Sequence, residues 1–151
     1  IRLAQFASLI HRSENLFSKV IESNSLSDIY HLFDLSCSAY WHNHYVFDKV
    51  SEPSSKKPVK STINLIIINT IVPFIFAYGK TKNDENYTEK ALDFLTALPP
   101  EKNRYTLQFS STGIIASNAM QTQAMIQLYN DYCQPKKCLH CSIGDAILKQ
   151  G

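Results

Sequence analysis

Apolar residues recur at steps of three and four along most of this chain. Ile1, Leu3, Ala4, Phe6, Ala7 and Ile10 share one face of a helix predicted over residues 1–11. Ser13 stands where it can cap a second, short helix carrying Leu16, Phe17, Val20 and Ile21. SNSLSD, residues 23–28, is a polar break with several candidate caps. Beyond it Tyr30, Phe33, Cys37, Tyr40, Trp41, His44 and Phe47 keep the same spacing and predict one long helix with an aromatic face.

The pattern then changes. Residues 51–61 hold two prolines, serines and lysines with almost nothing apolar, which predicts a mobile surface loop. Residues 61–79 are the most hydrophobic stretch. Asn64, Asn69 and Pro73 interrupt it, and it falls short of the roughly 20 apolar residues of a membrane span. It reads as a buried central helix, kinked or interrupted near Pro73 and closed by Gly79. A further helix carries Glu89, Ala91, Leu92, Phe94, Leu95 and Leu98 and ends at Pro99 and Pro100. Tyr105, Leu107 and Phe109 alternate, so a short extended piece is an option over residues 101–112. From Gly113 onward Ile115, Ala119, Ala124, Ile126 and Leu128 follow a helix, and Ile143, Ala146, Ile147 and Leu148 form a last short one. The expected architecture is all-α: an irregular bundle of six or seven helices in a single domain spanning residues 1–151.

Composition adds limits rather than a function. Among 151 residues, 44% are hydrophobic and 19% charged, an ordinary globular balance. Only four glycines occur, too few for a chain of tight hairpins, and this favours helices. A net charge of +2 does not by itself imply nucleic acid or a membrane as partner. The chain opens at Ile1 inside an apolar pattern, without Met or export signal, so it is expected to be part of a longer cytoplasmic protein. Four cysteines without an export signal also point to a reducing compartment.

Four stretches occur together in order: RLAQFA at the start, YWHNHYVF (40–47), INTIVPFIFAYG (68–79) and YCQPKKCLHCSIG (132–144). In these the chain resembles an uncharacterised bacterial family, domain of unknown function 2851, typical of Bacteroidetes. The resemblance implies that this is the C-terminal portion of a longer bacterial protein, whose missing N-terminal region would be its partner. It implies no activity, and Cys37 lies outside its pattern.

The sharpest chemistry lies in Cys133, Cys138 and Cys141, spaced C-x4-C-x2-C. Two residues between Cys138 and Cys141 let both sulfurs turn toward one ion, as in zinc knuckles. The order also matches three ligands of plant-type two-iron ferredoxins, which keeps an iron–sulfur or redox site as an alternative. His44 is the preferred fourth ligand, ahead of His140, His42 and Cys37, and zinc is the expected metal. Unligated buried thiols, a disulfide, or a thiol activated by Lys136 and Lys137 compete with that reading. No nucleophile elbow, phosphate loop, carboxylate pair or zinc-protease helix occurs, so no catalytic residue is assigned. The expected function is a non-catalytic helical structural or interaction domain. A nucleic-acid-processing role is the alternative raised by Lys56, Lys57, Lys60, Lys80, Lys82, Lys136 and Lys137. No membrane association is expected.

Overall fold

The computed structural model describes residues 2–54 and 56–149, and helix dominates them. Ile1, which the periodicity places in the first helix, lies outside the described residues. The all-α expectation holds: the sheet among the described residues is one two-stranded hairpin. The chain divides into two compact units, Ile1–Phe94 and Leu95–Gly151.

In the first unit, α1 (Arg2–Arg12) buries Leu9 and leaves Leu3, Phe6 and Ile10 exposed. Ser13 does not cap α2 (Leu16–Glu22). Its N–H extends the α1 ladder to the Leu9 carbonyl at 3.0 Å, and α2 is entered through Asn15 in the left-handed region, φ 56°. Asn tolerates that backbone better than most residues. The polar break supplies the cap of α3 (Leu26–Leu32). The Asp28 N–H donates to Ser25 Oγ at 3.2 Å, and the Ser25 N–H donates to Asp28 Oδ2 at 2.9 Å. This reciprocal pair satisfies two otherwise orphaned donors.

The long aromatic helix does not form. α3 stops at Leu32, after which Phe33, Leu35 and Cys37 are buried while Asp34, Ser36 and Ser38 are exposed. That is the period of two of an extended segment. Asp and the two Ser are poor interior helix residues because their side chains compete for the backbone. Ala39–Asn43 then makes a 3₁₀ turn, followed by β1 (His44–Val46) paired antiparallel with β2 (Lys49–Val50) through a turn with Asp48 at φ 58°.

The hydrophobic stretch is one helical run with an irregular middle: α4 (Lys60–Ile66), a π turn (Ile67–Ile71) and α5 (Val72–Lys82). The interruption falls just before Pro73, as its sequence predicts. Proline has no N–H to offer the preceding turn, and the Val72 N–H reaches back to the Ile67 carbonyl instead. Two expectations fail here. The run ends at Asn83, in the left-handed region, rather than at Gly79. It is also only half buried: Ile67, Ile68, Ile71 and Ile75 face inward, Leu65, Phe74 and Phe76 outward. Gly79 instead permits close approach of α6 (Glu85–Ala97), since a Cβ there would stand 2.9 Å from Tyr87 Cβ and 3.0 Å from Thr88 Cγ2. The 23-residue run Lys60–Lys82, mean hydropathy 1.7, is long and apolar enough to cross a membrane by length and composition. That corrects the expectation that it is too short; a core helix passes the same test. Of its two polar interruptions, Asn64 Oδ1 accepts from the Tyr30 hydroxyl at 2.6 Å, and Asn69 Nδ2 donates to the Leu65 carbonyl at 2.9 Å.

In the second unit the extended option for residues 101–112 gives way to α7 (Arg104–Ser111). Asn103 Oδ1 accepts from the N–H groups of Tyr105 and Thr106, so the cap overrides the alternation. The next helix, α8 (Ala119–Leu128), starts six residues later than Gly113, at an Asn118 cap. Ala119 and Thr122 of α8 are fully buried, and the Ala119 N–H donates to the Leu98 carbonyl at 2.9 Å. A π turn (Tyr129–Cys133), a 3₁₀ turn (Cys138–His140) and α9 (Ser142–Lys149) complete the unit.

Candidate thiol site

Cys133 closes the π turn that follows α8. The Lys137 N–H returns to the Tyr132 carbonyl at 2.8 Å, with Lys136 in the left-handed region, and this reversal carries Cys138 back toward Cys133. The Cys141 N–H then donates to the Cys138 carbonyl at 3.2 Å, so the two-residue spacing folds into a single 3₁₀ turn. Gly144, one turn into α9, lies against the Cys138 backbone.

All three cysteines line one cavity of about 190 Å³, whose other walls are Phe109, Ile114, Leu128, Tyr132, Ile143, Gly144 and Ile147. The thiols are free. Partial burial raises the Cys133 pKa above the ordinary thiol value, and the neighbouring Cys141 and Cys138 raise it further. Among the described residues, no three His, Cys, Asp or Glu groups stand at metal-holding distance. Thiolate is the ligand type that thiophilic ions select.

The other predicted site residues have separate surroundings. His44 belongs to the first unit, where its ring stacks on Tyr40 at 4.1 Å and Nδ1 lies 2.8 Å from the Tyr40 carbonyl oxygen. A carbonyl only accepts, so Nδ1 is the donor in this contact. Trp41 and Phe47 pack beside this pair, 5.1 Å apart, and the Asp48 N–H donates to the Tyr40 hydroxyl at 2.9 Å. The YWHNHYVF motif is therefore a self-packed aromatic turn. Cys37 is buried, with its thiol 3.9 Å from the Lys56 carbonyl oxygen. His140 is exposed.

The lysines of residues 51–61 are engaged within the first unit. Lys57 pairs with Asp34 at 2.6 Å, Lys60 lies over the Tyr30 ring, and Lys56 is only 5% exposed. Lys56 is thus a buried position in a segment whose other described residues are exposed or half-buried. One feature escaped the periodicity: an apolar groove of about 460 Å³ formed by Phe6, Leu9, Phe17, Val20, Phe33 and Phe74, among others. Its signal is the apolar residues that helices α1, α2 and α5 leave exposed, Leu3, Phe6, Ile10, Phe17 and Phe74.

A family model described as Protein of unknown function (DUF2851) matches residues 1–104. The cysteine segment lies beyond the matched residues. No curated protein and no solved structure matches the chain.

Proposed function

This chain belongs to the DUF2851 family, and we propose that it serves as a non-catalytic helical structural and interaction domain whose cysteine turn is clipped by a metal ion. The observation that carries the clip is the convergence of Cys133, Cys138 and Cys141 on one cavity from two successive turns. Zinc held by these thiolates would supply a cross-link that short helices and an exposed loop otherwise lack. Four free thiols suit the reducing cytoplasm.

The interaction half of the reading rests on the first unit. Leu3, Phe6, Ile10, Phe17 and Phe74 are all exposed on the helices that form the apolar groove. Contiguous apolar surface of this kind marks a docking face. The proposed occupant is an amphipathic helix from another region of the same polypeptide, laid with its apolar side in the groove. The nucleic-acid reading draws less support, because Lys56 and Lys57 are already engaged by groups of this unit.

Elemental analysis of protein purified without added metal, with thermal melts before and after chelation, tests the clip. One bound zinc per chain and a lower melting temperature on chelation are expected; no metal and an unchanged melt refute it. A photo-crosslinking residue in place of Phe17 in the full-length protein tests the docking. Cross-links to an apolar helix elsewhere in the polypeptide are expected, and cross-links confined to residues 1–151 refute it.

A further inference from the structure

Cys138 and Cys141 are brought together by backbone geometry alone. The Cys141 N–H donates to the Cys138 carbonyl at 3.2 Å across the 3₁₀ turn Cys138–His140. Side chains three residues apart in such a turn stand on the same side, and a rise of about 2.0 Å per residue separates their Cα atoms by about 6 Å. A disulfide spans Cα atoms roughly 4.4–6.8 Å apart. Both ends of the turn are anchored. The His140 N–H donates to the Lys137 carbonyl at 3.1 Å, and the Asp145 N–H to that of Cys141 at 2.8 Å.

The two thiols line the same cavity but differ in access: Cys138 is exposed, Cys141 half-buried. An accessible thiol beside a resolving one is the arrangement on which reversible thiol oxidation depends. Cys133 is a poorer partner for either. It precedes Cys138 across the chain reversal at Lys136, and its raised pKa holds the proton on a group that must be thiolate to react. Cys37 is buried and belongs to the first unit.

We propose that Cys138 and Cys141 form a dithiol–disulfide couple, closed by hydrogen peroxide and reopened by a small thiol. The Cys138 thiolate attacks one peroxide oxygen, the O–O bond breaks, and the departing hydroxide takes up the thiol's proton as water, leaving Cys138 a sulfenic acid. The Cys141 sulfur then attacks the Cys138 sulfur and displaces its hydroxyl, which leaves with the Cys141 proton as a second water. Two thiols and one peroxide thus give one disulfide and two waters. Two molecules of a small thiol restore both cysteines and become a disulfide themselves. Such transient couples are the usual disulfides of a reducing compartment. As regulation of the site assigned above to zinc, the couple rests on that reading, because closure withdraws two of its three thiols; the disulfide itself forms without an ion.

Treatment of the reduced, chelator-stripped chain with one equivalent of hydrogen peroxide, followed by thiol counting and peptide mass spectrometry, tests the proposal. Trypsin cuts after Lys137 and Lys149, so Cys138 and Cys141 fall on one peptide and Cys133 on another. Loss of two thiols per chain is expected, with peptide 138–149 lighter by two hydrogens and restored by dithiothreitol. In Cys141→Ser, Cys138 stops as a sulfenic acid that dimedone traps, while Cys133→Ser closes the disulfide as the parent does. A disulfide that includes Cys133, linkage between chains alone, or a sulfenic acid that persists in the parent overturns the proposal. Zinc content measured before stripping separates the two readings. A chain without zinc that closes this disulfide keeps the couple and loses the clip. A zinc-bearing chain whose stripped form does not close it keeps the clip and loses the couple.

Discussion

The Cys138 carbonyl group fills the space in which a side chain at Gly144 would begin: a Cβ there would lie 3.0 Å from the carbonyl carbon and 3.1 Å from Cα. Backbone cannot swing aside as a flexible side chain can. Gly144→Ala therefore forces α9 away from the 3₁₀ turn, at a cost of about 1–3 kcal/mol typical of overpacking. Thermal melts should show that loss, and alkylation of Cys138 should accelerate as the turn opens. Unaltered stability and labelling would contradict the packing described.

The raised pKa of Cys133 sets a pH dependence of known sign. Below the ordinary thiol range, folded and unfolded chains both hold the proton, and the contribution of the group is fully present and independent of pH. As pH climbs past that range the unfolded chain ionises first, so the favourable contribution of the protonated thiol is lost. Ion binding must displace this proton, so metal affinity should rise with pH and protons should be released on loading. Competition titrations against a chromophoric chelator at several pH values measure this. A flat profile would mean that none of the three thiols is a ligand.

Lys90 of α6 closes the far end of α2, with Nζ 2.5 Å from the Ile21 carbonyl oxygen and 3.1 Å from that of Ser23. It is a cation at a helix C-terminus, where orphan carbonyls and the dipole both favour positive charge. Burial lowers its pKa, yet two carbonyls hold the ammonium. Lys90→Met keeps the stem and removes the donors, and should cost roughly 1–3 kcal/mol in denaturant unfolding. Lys102→Met serves as the exposed comparison and should cost little.

At the start of α3 the Ser25–Asp28 box makes a matching prediction. Ser25→Ala should destabilise by about 1 kcal/mol. The Asp28 carboxyl sits below its usual pKa, first because of the Ser25 side chain and then the N–H groups of Asn24 and Ser25. Its contribution is present above the ordinary carboxylate range and is lost as pH falls through the depressed value. Amide exchange at Asn24 and Ser25 should quicken over that acidic window in the parent chain and be nearly pH-insensitive, beyond intrinsic chemistry, in Asp28→Asn.

The helical class and most helix positions were legible because burial against one face imposes the three-and-four spacing directly. The stretch from Phe33 to Phe47 was not, since aromatic residues satisfy that spacing by chance when they are dense. The competing cue was FDLSCS, residues 33–38, whose strict apolar–polar alternation matches the observed burial. Residues 101–112 show the opposite error: Tyr105, Leu107 and Phe109 alternate, but Asn103 commits the backbone to a turn first. The three thiols were singled out by their spacing alone, and all three line one cavity. Lys56 was not distinguished from its neighbours, because nothing local records that Tyr45 and Gln5 close over it from distant positions.

The π turn at Ile67–Ile71 sets the phase of the longest helical run. An α-helix advances about 100° per residue, so an extra residue accommodated in a wider turn offsets the azimuth of everything downstream. Deleting one residue between Ile67 and Ile71 would restore a regular rod and swing Gly79 away from Tyr87 and Thr88. An irregularity that looks like a tolerated defect around a proline thus acts as a gear tooth, and the contact two turns later depends on its being kept.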